Sequence, residues 1–234
     1  SVCSAQLLRP LRPAPRIRHR QHHSPAPTMP HPFTALPRNL PPTPACLLET
    51  TVAQEKILTG RFLHAVRDTV RLPDGNAAMR EYIQHPGAAV IVPCLGDGLY
   101  LVEYQYRHPM RRAMIEFPAG KLEAGEPELL CAQRELREET GFTAGLWAHA
   151  GTMHNCIGYS DERIEIWFAR ELQFQGQQLD AGEFLQIHTA TLADLLQRAR
   201  EGTLTDAKTL TALLWAQQLA SGAWQLDWQS SSQP

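Results

Sequence analysis

The stretch GKLEAGEPELLCAQRELREETGF, residues 120–142, sets four glutamates, Glu126, Glu135, Glu138 and Glu139, beside Arg134 between two glycines. Its middle reads as a helix. Pro127 suits a first helical turn, where its missing N–H costs nothing, and Gly141 suits the left-handed position that ends a helix. By 3.6-residue periodicity Leu129, Ala132 and Leu136 share one stripe, and Glu135, Glu138 and Glu139 share the neighbouring one. Any one of these glutamates reads as surface, and Arg134 with Glu138 reads as an i,i+4 ion pair worth about 0.2–0.5 kcal/mol. Three carboxylates within about one turn repel one another, however. As a group they make sense around hard cations that prefer oxygen ligands, with magnesium the natural candidate.

Composition bounds the rest. A chain of 234 residues with 43% apolar content is long enough for one globular domain with a substantial core. A net charge of -2 provides no general electrostatic reason to bind nucleic acid or an anionic membrane. The five cysteines, Cys3, Cys46, Cys94, Cys131 and Cys156, lack paired CxxC spacing, so neither a zinc site nor a disulfide framework is expected. No apolar run approaches the roughly 20 residues that cross a bilayer. A soluble protein of a reducing, cytoplasmic compartment is expected.

Residues 1–45 are different material, with eleven of the 18 prolines, arginines at 9, 12, 16, 18, 20 and 38, and no acid. Arg-rich, acid-free composition also fits an organellar transit peptide, but the prolines break the amphipathic helix such peptides form. A disordered segment is the expectation, and Met29 offers a second possible start. The cluster His19, His22 and His23 reads as composition rather than a metal site. From there on, residues 46–228 read as one domain.

That domain begins with ILTGRFLHAVRDTVRLPDG, two β-like runs closed by a Pro-Asp-Gly turn, which predicts an antiparallel start. Further strands are expected at 79–84, 88–95, 99–106, 113–117, 146–154, 162–172 and 183–189. Two more helices are expected, at 191–201 and 206–220. Tyr106, Trp147, Trp167 and Trp215 fall in apolar runs and read as core or interface.

Gly120, Glu126, Arg134, Glu135, Leu136, Glu138, Glu139, Gly141 and Phe142 meet every specified position of GX5EX7REUXEEXGU, U being a bulky apolar residue. This resembles the Nudix box, and a chance match is on the order of one in a billion per start position. The resemblance spans about residues 50–222. It implies an α/β (α+β) Nudix fold, a mixed sheet sandwiched between helices, with an N-terminal antiparallel region. The flanks EYQYRHPMRRAMIEFPAGK and IGYSDERIEIWFAR resemble the ADP-ribose pyrophosphatases of that family. One departure is that Cys156, Ile157 and Gly158 stand where those relatives often have Ser-Pro-Gly.

The resemblance implies a Mg2+-dependent hydrolase, with Mn2+ as an alternative, that cleaves the diphosphate of ADP-ribose or a related nucleoside diphosphate sugar. It implies Glu135 and Glu139 as main metal ligands, assisted by Glu138 and the Ala119 carbonyl. Glu126 would contribute through water, and Arg134 would hold the glutamates. The general base would be a glutamate beyond the box, Glu183 in DAGEF ahead of Glu162 in SDER. Arg107, Arg112 and Glu116 would contact substrate. Arg80 would be lent to a partner's site, which implies a homodimer. His85 and Pro86 read as a strand-entry turn without chemistry. The alternatives are diadenosine polyphosphate, GDP-mannose or NADH hydrolysis, or a non-catalytic ADP-ribose sensor; sensor relatives usually append a DNA-reading domain, for which little chain follows Trp228.

Overall fold

The computed structural model describes residue 36 and residues 38–231. The histidine cluster and most of the Pro-rich segment lie outside the described residues. The domain begins after a single 3-10 turn, Ala45–Leu47. Three strands, β1 (Thr50–Thr59), β2 (His64–Arg71) and β3 (Ala77–Gln84), form an antiparallel sheet in the order β1-β2-β3. The turn between β2 and β3 is LPDGN, where Asn76 N donates to Asp74 Oδ1 at 2.9 Å and Gly75 takes a positive φ of 87°. β1 starts seven residues earlier than the apolar run beginning at Ile57. All ten of its residues are exposed and two register shifts interrupt it, so alternation carried little signal there.

The larger sheet is built from β4 (Ala88–Gly96), β5 (Leu99–Arg107), β6 (Arg112–Glu116), β7 (Ala119–Lys121), β8 (Phe142–His154), β9 (Arg163–Phe174), β10 (Leu185–Thr191) and β11 (Gln229–Ser230). Its order is β10-β5-β4-β9-β8-β11, with β6 on β5 and β7 on β4. β4 and β9 run parallel, while β8 and β9 run antiparallel, so the sheet is mixed. The two short strands β7 and β11 were not expected. At three and two residues they are too brief to show periodicity.

Three helices cover this sheet: α1 (Glu128–Thr140), α2 (Leu192–Glu201) and α3 (Ala207–Ala220). β4 displays the logic of the sandwich, since alternate residues serve opposite faces. Ala88, Val90 and Val92 join Leu195 of α2 and Ala212, Leu213 and Ala216 of α3 in one core. Ala89 and Ile91 join Cys131, Ala132 and Leu136 of α1 in the other. Pro127 is the N-cap of α1 rather than its first helical residue, and Gly141 ends the helix at φ 78°. α2 carries a reciprocal capping box between Thr191 and Asp194, and α3 starts on Asp206. Trp147 and Trp167 are buried, and Trp215 packs on the first core, whereas Tyr106 is exposed. Cys46, Cys94, Cys131 and Cys156 are free thiols. Among the described residues no helix is long and apolar enough to cross a membrane.

Candidate active site

Two structural facts aim the box carboxylates. The apolar stripe of α1 is fully buried at Ala132 and Leu136, which turns the neighbouring stripe toward the start of β7. β7 in turn pairs with β4, Gly120 opposite Ala89, and so lies beside the Glu135 side chain. A Cβ on Gly120 would fall inside the Glu135 carboxylate, so only glycine allows this approach. Ala119 N donates to Glu139 Oε2 at 3.0 Å.

Arg134 organises the cluster. Its Nε and Nη2 each donate to the Glu126 carboxylate at 2.9 Å, and Nη1 donates to Glu135 at 2.8 Å and Glu138 at 3.1 Å. Nη2 also donates to the Lys121 carbonyl at 3.1 Å, tying the helix to the end of β7. This cation offsets part of the carboxylate repulsion, though not all of it. Burial pushes the Glu135 carboxyl above its ordinary value even with Arg134 beside it. Burial pushes Glu139 well up, reinforced by the charges of Glu103, Glu135 and Glu183. Glu103, on β5, is 1% exposed, and burial first of all pushes it up to about 8. The negative charge of Glu103 helps to hold the proton on Glu139.

Arg134, Glu135, Glu138 and Glu139 line a cleft of about 630 Å³. β5 contributes Gln105 and Arg107, the loop before β10 contributes Glu183, and the loop between β8 and β9 contributes Asn155 and Glu162. Asp206 and Lys208 enter from the start of α3, and Phe62 and His85 from the open end of the β2–β3 hairpin. Gln105 Nε2 donates to Glu183 Oε1 at 3.4 Å, and no salt bridge holds Glu183 among the described residues. Glu162 Oε1 lies 3.6 Å from His85 Nε2. That meeting depends on the β8–β9 loop joining the end of β3, where Ile83 N donates to the Tyr159 carbonyl and Asp161 Oδ1 accepts from His85 N at 2.8 Å.

The donor set suits a hard divalent cation. It is all oxygen, crowded enough to hold protons, and includes two buried acceptors without a hydrogen-bond partner, Glu103 Oε1 and Gln105 Oε1. Among the described residues no three His, Cys, Asp or Glu side chains already stand as a complete ligand set. The reason is geometric: Arg134 takes up Glu135 and Glu138, and Ala119 N takes up Glu139. A cation that bound here would compete with those hydrogen bonds.

In the cleft the structure therefore brings together Glu135, Glu138, Glu139, Ala119, Arg134, Arg107, Glu183 and Glu162. Glu116 stands behind Arg107, accepting from its Nε and Nη2 at 2.7 and 2.8 Å. Two expected residues lie elsewhere in the chain. Arg112 Nη2 donates to Thr205 Oγ1 at 3.1 Å and lines a separate cavity of about 580 Å³. Arg80 Nε donates to Glu49 at 2.9 Å on the exposed N-terminal sheet. Sequence reasoning passed over Glu103, Gln105, Asn155, His85 and Lys208. The signal for the first two was present, since Glu103, Gln105 and Arg107 alternate on β5 and so share one face.

The Nudix domain family model matches residues 84–213. The chain is 36% identical over 173 residues to the ADP-ribose pyrophosphatase of Bacillus subtilis, covering 73% of this chain and 94% of that protein. It is 34% identical over 171 residues to the methanol dehydrogenase activator of Bacillus methanolicus, covering 72% and 92%. A solved structure, the crystal structure of an ADP compounds hydrolase, superposes with a TM-score of 0.68 at 21% identity over 76% of this chain and 97% of that one, a likeness of fold.

Proposed function

This chain belongs to the Nudix family, and on that premise we propose that it hydrolyses the diphosphate of ADP-ribose, or of a close nucleoside diphosphate sugar, with the aid of magnesium. The products from ADP-ribose are AMP and ribose 5-phosphate. The observation that carries this reading is one cleft in which Glu135, Glu138 and Glu139 meet a loop carboxylate without a cationic partner among the described residues, Glu183, and a guanidinium, Arg107. The B. subtilis relative's name supports the choice of ADP-ribose.

Glu135, Glu139, Glu138 and the Ala119 carbonyl would hold magnesium, with manganese able to replace it. When bound, the cation neutralises phosphate charge and acidifies the attacking water. The chain's own residues do the rest. Arg134 keeps the glutamates aligned on α1, and Arg107 presents a guanidinium to the phosphate. Glu183 is the better base, because it lies on a loop without a cationic partner and close to Gln105, whereas Glu162 faces His85. Residues 46–228 act as the catalytic domain of a cytoplasmic enzyme without nucleic-acid or membrane partners. Arg80 serves a second copy in a homodimer, in keeping with its pairing to Glu49 outside its own chain's cleft lining.

The test is AMP or GMP release from ADP-ribose, diadenosine polyphosphate, GDP-mannose and NADH, each with magnesium. Fastest turnover of ADP-ribose is expected. Binding of ADP-ribose without hydrolysis would favour a sensor, and preference for another substrate would reassign the enzyme.

A further inference from the structure

Behind the cleft, one buried carboxylate is shared by two cations. Glu116, the last residue of β6, is 2% exposed and is held by Arg107 on one side and by the Lys208 ammonium on the other. Lys208 Nζ also lies 3.1 Å from Asp206 Oδ2. The arrangement is held in register from both ends. Asp206 caps α3 by accepting from Thr209 N at 2.9 Å, and Thr209 Oγ1 accepts from the backbone N–H of Phe117, the residue after Glu116, at 2.9 Å. The start of α3 is thereby pinned to the end of β6.

The charges matter because of what the cleft must admit. Arg107 and Lys208 balance Glu116 and Asp206, and without Lys208 this group has one surplus negative charge beside the place for a diphosphate. Glu116 engages Arg107 through Nε and Nη2, which leaves Nη1 without a hydrogen-bond partner among the described residues. Burial alone would push the Glu116 carboxyl up. The hydrogen bonds and charges of Arg107 and Lys208 outweigh it, so Glu116 stays ionised.

We infer that Lys208 is a positioning residue for phosphate binding: it cancels the charge of Glu116, so that Arg107 is held by the carboxylate yet still attracts the substrate. The inference rests on the diphosphate reading above. Nothing in the cleft-facing sequence pattern marks Lys208, which sits 92 residues from Glu116.

The experiment is a double-mutant cycle with Lys208→Met, Glu116→Gln and the pair, alongside Lys208→Arg. Three readouts are taken: KM and kcat for ADP-ribose, calorimetric Kd for ADP with magnesium, and Tm. Lys208→Met should raise KM and the ADP Kd about tenfold while kcat changes by less than about threefold. Lys208→Arg should stay within about threefold of wild type on both. Adding Glu116→Gln to Lys208→Met should recover much of the lost ADP affinity, since the surplus charge is gone. An undiminished deficit in the pair, or an unchanged ADP Kd in Lys208→Met, overturns the inference. Should Lys208→Met fail to fold, Lys208→Gln replaces it on the same readouts, with the same outcomes deciding. If wild type releases no AMP from ADP-ribose, the substrate reading fails, while the ADP cycle still decides the role of Lys208.

Discussion

In α1 and the strand beneath it, Cys131, Ala132, Leu136, Ala89 and Ile91 are completely buried, whereas all ten residues of β1 are exposed, Val52, Ile57 and Leu58 among them. The first region takes its geometry from its own core. The N-terminal sheet depends more on backbone ladders and on surface pairs such as Arg67 with Glu81 and Arg80 with Glu49, and such exposed pairs contribute little. The carboxylate cluster therefore sits on a rigid support, while Val52, Ile57 and Leu58 are left exposed on the N-terminal sheet, the one that would meet a second copy.

The sharpest way to break this contrast is at the rigid end. Glu139→Gln should lower kcat for ADP-ribose by about a thousandfold or more, read as AMP release at saturating magnesium. Retention of a tenth of wild-type turnover would remove Glu139 from the metal set. Next, Glu183→Gln should cost about a hundredfold in kcat while calorimetry still detects ADP-ribose binding. If Glu162→Gln proves the more damaging of the two, the base lies on the β8–β9 loop.

The sheet offers the third test. Leu58→Asp should shift the chain from dimer to monomer in sedimentation, and Arg80→Ala should raise KM about tenfold without moving Tm. A persistent dimer with unchanged KM would show that this sheet serves its own chain alone.

The smallest effect concerns pH. Glu103 keeps its proton to about pH 8 when folded and loses it near pH 4.3 when unfolded, so the folded state binds more protons across that window. The stability that Glu103 contributes to the metal-free chain is intact below the lower value and is lost as pH rises toward the upper one. Magnesium on the ionised carboxylates should reverse the trend, raising Tm by several degrees more at pH 8 than at pH 6. Equal shifts at the two pH values in thermal scans would argue against a cation beside Glu103 and Glu139.

Much of this molecule was readable before folding was considered. The spacing from Gly120 to Phe142 determined a capped helix with one apolar and one acidic stripe, because helical geometry relates residues three and four apart without outside help. Alternation likewise marked most of the strands, though not the exposed β1 or the very short β7 and β11. Tertiary structure alone decided that Glu103 faces Glu139, that Lys208 shares Glu116 with Arg107, that His85 meets Glu162, and that Arg112 goes to Thr205 instead of the cleft. Those meetings join residues 36, 92, 77 and 93 positions apart. They arise from sheet order and loop closure, which bring distant segments together, whereas sequence periodicity records only which face of its own element a residue occupies.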